Sequence, residues 1–292
     1  MHKSVMINEV IEWLNLKPGA KIIDATLDGG GHTKAILERF NDLKVLGVEF
    51  DPVLFENCKL EIENLSQNII LVNDSYVNLK NIADEHDFYP DGVIFDLGVS
   101  SWHYEKSGRG FSFMKDEPLD MRFHPDIDTK TAADLLNTCS KERLEDILVN
   151  YGEEKFASEI VKRIIEARRI KPIVRTTVLV GIINNSVPGW YRRRKINPAT
   201  KTFQALRLAV NNELDNVAKG VNAAINITKS GGRIIVISFH GLEDKIVREI
   251  FKTKTKDGII KWAIKGTVKP KWEEVRQNPR ARSAKMKVVE KL

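Results

Sequence analysis

Cysteine and long apolar runs are scarce in this chain of 292 residues, and each shortage excludes a class of protein. The two cysteines, Cys58 and Cys139, lie far apart, which excludes a disulfide scaffold and a four-cysteine zinc site. No apolar run reaches the roughly 18 residues of a membrane span. Residues 1–10 lack the apolar core of a signal peptide. We therefore expect a cytoplasmic protein without a membrane segment and, since no metal-ligand spacing is present, without a metal.

The net charge of +6 is distributed unevenly along the chain. Residues 1–154 carry 15 basic and 29 acidic side chains. Two later blocks are strongly basic, with 13 basic and 2 acidic side chains over 155–207, and 15 and 5 over 245–292. Such blocks favour a polyanionic partner, most often nucleic acid, although solvated basic faces remain the alternative.

Short β-branched runs bounded by turn residues alternate with helical patterns in the first hundred residues, which predicts an α/β fold with a parallel sheet. From about 106 to 200 only helical patterns are found. A single long helix is predicted over 203–225, followed by the last strands. We expect a sheet core made of residues 1–108 and 200–292, interrupted by a helical insertion at 109–199. The strands are predicted at 21–25, 45–49, 69–72, 92–96, 233–238 and 285–289.

Ligands of open α/β sheets bind beyond the carboxyl ends of the strands. The first predicted strand runs into Asp24 and then into a loop with three consecutive glycines, 29–31, which lets backbone approach a ligand closely. The second ends in Glu49, where a carboxylate can accept hydrogen bonds from a ribose diol. Tyr76, after the third, offers an aromatic face to an adenine, and the fourth ends in Asp96. These features indicate a cofactor that contains adenosine.

Two motifs that would indicate other enzymes are missing. The dinucleotide motif G-x-G-x-x-G is absent, and Asp28 in the glycine loop would repel a pyrophosphate. S-adenosylmethionine (SAM) has no phosphate and carries a sulfonium and an ammonium, which an acidic crevice suits. A nicotinamide-dependent oxidoreductase is therefore the weaker alternative. The Pro-Pro-aromatic motif of DNA amino-methyltransferases is also absent after Asp96, which disfavours a DNA substrate.

Longer strings of residues carry a family resemblance that runs from residue 2 to about residue 290. They are HKSVM at 2–6, DATLDGGGH at 24–32, DLGVSS at 96–101, RGFSF at 109–113, PLDMR at 118–122, YGEE at 151–154, TFQALR at 202–207, NNEL at 211–214, SFHGLEDK at 238–245 and NPRARSAK at 278–285. Together they resemble the ribosomal RNA small-subunit methyltransferase H family.

The resemblance implies a Rossmann-like class I SAM-dependent methyltransferase sheet with a helical insertion domain. It implies methylation of N4 of a cytidine in the decoding region of 16S ribosomal RNA, with the small ribosomal subunit as partner. The oligomeric state stays open, a homodimer included. The SAM contacts implied are Gly30, Gly31, His32, Glu49, Tyr76, Asp96 and His103.

The chain departs from the family pattern near the expected site. Asp28 replaces a usual glycine, and Trp102 and His103 replace a usual Pro and Gln. A His side chain can exchange fewer hydrogen bonds than an amide. These departures are the only support for a further alternative, a non-catalytic RNA-binding assembly factor that has kept the fold.

The chemistry suggests further site residues. Because the N4 lone pair of cytosine is delocalised into the ring, acceptors aimed at the amino hydrogens should assist transfer, and we assign Asp96 to this role. His240 is a second candidate catalytic residue. An unstacked target base needs aromatic partners, and the cluster of arginines suits phosphates. The predicted substrate-binding residues are Trp102, Phe111, Phe113, Arg192, Arg193 and Arg194.

Overall fold

The computed structural model describes residues 4–40, 42–63, 65, 68–127 and 129–292. His2 and Lys3, part of the first family-like string, lie outside the described residues. The described chain divides into two compact units, one formed by Met1–Ser100 and Leu214–Leu292 and the other by Ser101–Glu213. The second unit begins earlier and ends later than the predicted insertion of 109–199, because flanking helices belong to it.

The first unit is built on a seven-stranded sheet with the order β3-β2-β1-β4-β5-β7-β6. Strands β1 to β5 run parallel, whereas β7 is antiparallel to both β5 and β6. The α/β fold class with a mostly parallel sheet is thus confirmed. The strands are β1 Lys21–Asp24, β2 Lys44–Glu49, β3 Ile69–Asn73, β4 Gly92–Asp96, β5 Arg233–Ser238, β6 Ile260–Trp262 and β7 Lys285–Lys291.

Helices of the first unit cover both faces of the sheet. Because successive strand side chains point to opposite faces, Ile22 and Ile94 pack toward α1 and α2, whereas Ile23 and Phe95 pack toward α4, α12 and α13. The helices are α1 Ile7–Leu14, α2 Gly31–Arg39, α3 Pro52–Ile62, α4 Leu79–Glu85, α12 Glu213–Ile227, α13 Gly241–Lys256 and α14 Trp272–Gln277. The two apolar layers hold the strand ends in fixed positions.

The second unit is helical. Between residues 106 and 200 the described chain contains an isolated β-bridge, Pro118 with Arg175, and no strand. The helices are α5 Ser101–Glu105, α6 Ala132–Thr138, α7 Lys141–Asn150, α8 Ala157–Arg168, α9 Thr176–Ser186, α10 Gly189–Arg192 and α11 Ala199–Val210. Their core consists of aliphatic side chains at helical spacing, such as Leu144, Ile147, Ile160 and Ile164, which are fully buried.

The prediction of one long helix over 203–225 is wrong. The helix is interrupted at Asn211 and Asn212, between α11 and α12. Asn212 adopts a left-handed conformation with φ of 49°. The Asn211 side chain accepts a hydrogen bond from the Phe123 amide at 2.8 Å and donates to the Met121 carbonyl at 2.8 Å. Asparagine tolerates this geometry and bonds backbone locally, so the apolar spacing continues while the helix does not.

Candidate active site

Three buried carboxylates end parallel strands at the same edge of the sheet. Asp24 ends β1, Glu49 ends β2 and Asp96 ends β4, and their exposed fractions are 1%, 7% and 6%. Strand β1 lies between β2 and β4. The sequence prediction placed these residues at this edge, and the strand bounds confirm that placement.

The glycine loop after β1 is shaped by close contacts. Gly30 has φ of 69° and caps α2, and a Cβ at this position would lie 2.0 Å from Cδ1 of Ile62. Any other residue would be strained at this φ and would have to displace the Ile62 side chain. The Asp28 amide donates to Glu49 Oε2 at 2.8 Å, and the Asp51 amide donates to Oε1 at 2.8 Å. Glu49 therefore ties the loop to the start of α3.

The segment before α1 packs against the same loop. A Cβ on Gly31 would lie 2.1 Å from Oγ of Ser4, which is buried. His32 Nε2 lies 2.9 Å from the Val5 carbonyl oxygen. Because a carbonyl only accepts, Nε2 carries the proton and Nδ1 of the neutral ring is an acceptor. Burial lowers the pKa of His32 to about 4, which keeps the ring neutral.

Burial dominates the electrostatics of the carboxyl groups. It raises the pKa of Asp24 to about 7 and that of Glu49 to about 8. The pKa values of Asp28 and Asp96 are raised well above the ordinary value, first by burial and then by the charges of neighbouring carboxylates. The neighbouring charges that raise the pKa values of Asp28, Glu49 and Asp96 are all carboxylates. The crevice therefore favours a cationic ligand.

Two carboxylate oxygens in the crevice lack partners. In the described part of the chain, Asp96 Oδ1 and Asp24 Oδ1 are buried without a hydrogen-bond partner. The other oxygen of Asp96 lies 3.9 Å from Nδ1 of His32, which is itself an acceptor. When Asp96 is ionised these two groups are both acceptors, and they require a donor between them. The ammonium and hydroxyl groups of SAM supply donors and its charge is positive, so the residues present fit this cofactor.

Tyr76 follows β3 in a short 3-10 turn, Tyr76–Asn78, which the Ser75 hydroxyl caps. Its ring packs edge-on against Phe95 with centroids 5.7 Å apart. Gly220 of α12 also lies against the ring, and a Cβ there would lie 2.4 Å from Cδ2 of the ring. A glycine in a helix interior costs stability. Gly220 was not singled out in the sequence analysis, because its role depends on the tertiary contact with Tyr76.

His240 caps α13. Its Nδ1 accepts from the Glu243 amide at 3.4 Å, and its Nε2 lies 2.8 Å from Glu243 Oε1. Glu243 is 1% exposed, and its charge contributes to the raised pKa of Asp96. The local cap explains the position of His240, and its catalytic role stays a prediction. Glu243 was not singled out in the sequence analysis, although its H-x-x-E spacing from His240 matches a capping box and could have identified it.

The predicted aromatic residues lie in the second unit, where most pack on each other. The His103 ring is 3% exposed, with centroids of Trp102, Phe111 and Phe123 at 5.3, 5.0 and 5.1 Å. Phe111 is buried and stacks on Phe123. Trp102 is half-buried, so it retains exposed surface. The predicted roles of these side chains in binding SAM and substrate stay predictions.

Phe113 lies outside that cluster. It is half-buried and packs edge-on against Phe203 with centroids 5.6 Å apart. The guanidinium of Arg109 lies over the rings of Trp102 and Phe111, at 5.3 and 5.8 Å from their centroids. Arg109 is thus a cation beside the exposed surface of Trp102.

The three predicted arginines, residues 192–194, are exposed at the end of α10. The Tyr191 before them is buried, and its hydroxyl lies 3.0 Å from both carboxylate oxygens of Glu154. The Arg194 guanidinium lies 5.1 Å from the centroid of the Tyr191 ring. Tyr191 therefore anchors the turn that presents the arginines to solvent.

The described residues contain no group of three or more His, Cys, Asp or Glu side chains arranged to hold a metal ion. Within the same residues, no helix is long and apolar enough to cross a membrane.

Fold and site together define a class of protein. A Rossmann-like order in β1 to β5, extended by an antiparallel β7, is the sheet of class I SAM-dependent methyltransferases. The glycine loop, Glu49 and Asp96 lie at the strand ends where this class binds its cofactor.

The particular family follows from comparison with known proteins. The sequence model that describes the MraW methylase family matches residues 1–292. Ribosomal RNA small subunit methyltransferase H of Dictyoglomus thermophilum is 42% identical over 294 residues, covering 100% of this chain and 97% of its own. The protein of the same name from Persephonella marina is 40% identical, covering 100% and 99%. The chain therefore belongs to the MraW methylase family, and its cofactor is SAM.

A solved structure, an rRNA methylase from Streptococcus thermophilus, aligns over 100% of this chain and 99% of its own at 11% identity, with a TM-score of 0.44. That likeness is too distant to bear on fold or function.

Proposed function

We propose that this enzyme transfers a methyl group from SAM to N4 of a cytidine in the decoding region of 16S ribosomal RNA, on assembled small subunits in the bacterial cytoplasm. The observation that carries the proposal is the buried acidic crevice, in which Asp96 Oδ1 has no hydrogen-bond partner. The relatives named ribosomal RNA small subunit methyltransferase H, with full coverage of this chain, support the substrate.

When bound, SAM supplies a methyl group already activated on a positive sulfonium. The residues of the chain then need to position the acceptor and stabilise the charge that develops on its nitrogen. Gly30, Gly31 and Glu49 hold the cofactor, while Asp96 accepts hydrogen bonds from the ammonium of the cofactor and from the amino group of the base. Asp96 favours a pyramidal amino nitrogen, whose lone pair is then free to attack.

The substrate is held by the second unit. Its exposed arginines at 192–194 contact phosphates, and the exposed surface of Trp102 receives the unstacked base. Phe111 supports this surface from within the unit through the His103 ring, and a substrate contact of Phe113 stays a prediction. A homodimer stays a prediction.

The test is methyl transfer from labelled SAM to small subunits isolated from a strain that lacks this enzyme. Free 16S ribosomal RNA and duplex DNA are assayed in parallel, and the product nucleoside is identified by mass spectrometry. We expect N4-methylcytidine on subunits and none on DNA.

Other outcomes would contradict the proposal. Methylation of free RNA alone would refute the assembled subunit as substrate. A different methylated nucleoside would refute the N4 position. If SAM binds normally and no substrate is methylated, the assembly-factor alternative is favoured.

A further inference from the structure

A tryptophan is exposed on the short helix α14 of the first unit. Trp272 has 67% of its surface exposed. The guanidinium of Arg276, one helical turn further on, lies 5.6 Å from the centroid of its ring. The exposed ring offers a large, rigid apolar face to a binding partner. The pair forms a flat, positively charged platform, which we call the α14 platform.

The surroundings of the α14 platform are basic. Lys265, Lys269, Lys271 and Arg282 are exposed near it in sequence, in the block of 245–292 with 15 basic and 5 acidic side chains. The ammonium of Lys271 lies 3.9 Å from Glu9, and Glu273 is an exposed carboxylate on the helix itself. Basic side chains therefore outnumber acidic ones in the segment that carries the exposed ring.

The inner side of the same helix contacts residues of the crevice. Glu274 Oε1 accepts a hydrogen bond from the Met6 amide at 2.7 Å. The neighbouring Val5 carbonyl accepts from His32, which lies beside Asp96. The α14 platform is thus separated from the methyl-transfer site by one short segment, residues 4–6.

We propose that the α14 platform stacks on an unpaired nucleotide of the RNA substrate while the flanking lysines bind its phosphates. This inference rests on the proposed function, because it places a second RNA contact beside the same site. Aromatic side chains in a basic setting bind single-stranded nucleic acid in this way, since every base offers a flat face. A protein partner would need acidic groups to match this surface, whereas RNA supplies negative charge at each nucleotide.

The experiment measures binding of small subunits lacking the modification, and of a single-stranded 20-nucleotide RNA of mixed sequence, at several salt concentrations. The variants are Trp272→Ala, Trp272→Phe and the control Tyr89→Ala. Tyr89 is another exposed aromatic, 41% exposed, but its hydroxyl donates to Asp84. SAM affinity and melting temperature are measured for each variant.

For Trp272→Ala we expect binding of both RNA probes to weaken about tenfold at every salt concentration, with an unchanged slope against salt, because stacking is lost and phosphate contacts are kept. Trp272→Phe should recover most of the affinity. The Tyr89 variant should bind like the wild type, and SAM affinity should be unchanged throughout.

Three results would overturn the inference. They are wild-type RNA binding by Trp272→Ala, a parallel loss of SAM affinity or melting temperature, and a loss confined to subunits, which would indicate a ribosomal protein as the partner. Failure of the proposed function is distinguishable, because the wild type would then methylate no ribosomal RNA whatever the Trp272 variants bind.

Discussion

Buried carboxylates have different neighbours in the two units of the molecule. In the second unit, buried Arg207 pairs with buried Glu213, with Nε 2.8 Å from Oε1. In the first unit, Asp24, Glu49 and Asp96 are buried at the sheet edge, and the neighbouring charges that raise the pKa values of Glu49 and Asp96 are carboxylates. Burial of an unpaired charge is costly, so a chain keeps it only where a ligand supplies the missing partner. A buried carboxylate that is paired with a cationic side chain therefore indicates a structural role. Buried carboxylates without such a partner indicate the cofactor site.

The largest expected effect comes from removing an unpaired carboxylate. Asp96→Ala should lower the rate of methyl transfer by about a thousandfold, because it deletes an acceptor aimed at the developing charge. Transfer from labelled SAM to small subunits measures the effect. The control is Asp91→Ala, since Asp91 precedes the same strand and is ion-paired with Lys229 at the surface. Full activity of Asp96→Ala would refute the role assigned to this residue.

Breaking the paired charge in the second unit should affect stability instead. Arg207→Met removes the guanidinium that pairs with the buried Glu213 carboxylate, and it should lower the free energy of unfolding by about 3 kcal/mol. Urea denaturation measures the loss. The double variant Arg207→Met/Glu213→Leu should recover most of it, because neither charge remains. If the single variant were as stable as the wild type, the pair would not be buried as described.

Ionisation of the crevice should make the protein without SAM less stable as pH rises. The pKa of Glu49 is raised by burial to about 8, so the folded state holds protons that the unfolded state has released, and this stability is lost as pH rises toward 8. We expect about 2 kcal/mol to be lost between pH 6.5 and 8, a window in which His32 is neutral.

The matched variants for this pH effect are Glu49→Gln and Glu56→Gln, the latter being exposed on α3. Thermal denaturation across the window should show a flatter profile for Glu49→Gln and an unchanged profile for Glu56→Gln. Identical profiles for both variants would show that Glu49 ionises normally in the folded protein.

The smallest expected effect concerns a glycine. Gly220→Ala places a Cβ against the Tyr76 ring and should raise the KM for SAM about tenfold while kcat changes little. Gly181, inside α9, has no atom within 4 Å of its Cβ position among the described residues, so Gly181→Ala should leave KM unchanged and stabilise its helix. An unchanged KM in Gly220→Ala would show that the ring does not contact the cofactor.

The strands and the carboxylates at their ends were predictable, because both follow from local patterns. Short β-branched runs define β1 to β5, and Asp51 before Pro52 is an N-cap that the structure confirms, with its side chain accepting from the amides of residues 53 and 54. These signals lie within a few neighbouring residues, so one sequence suffices to read them.

Features that depend on distant contacts were not predictable. The strand β6 has three residues and pairs only with β7, so it leaves no periodic signal. The helix break at Asn211 depends on residues almost ninety positions away. Likewise, the role of Gly220 depends on its contact with Tyr76, and the role of residues 4–6 depends on their contact with His32. Neither contact could be read from the sequence.

The most direct test of the central claim is the number of protons released when SAM binds. Calorimetric titration at pH 7 in buffers of different ionisation enthalpy measures it. A cationic ligand lowers the pKa values of Asp24 and Glu49, which burial raises to about 7 and about 8, so the account predicts net release of about one proton. Binding without proton exchange, or with proton uptake, would contradict it.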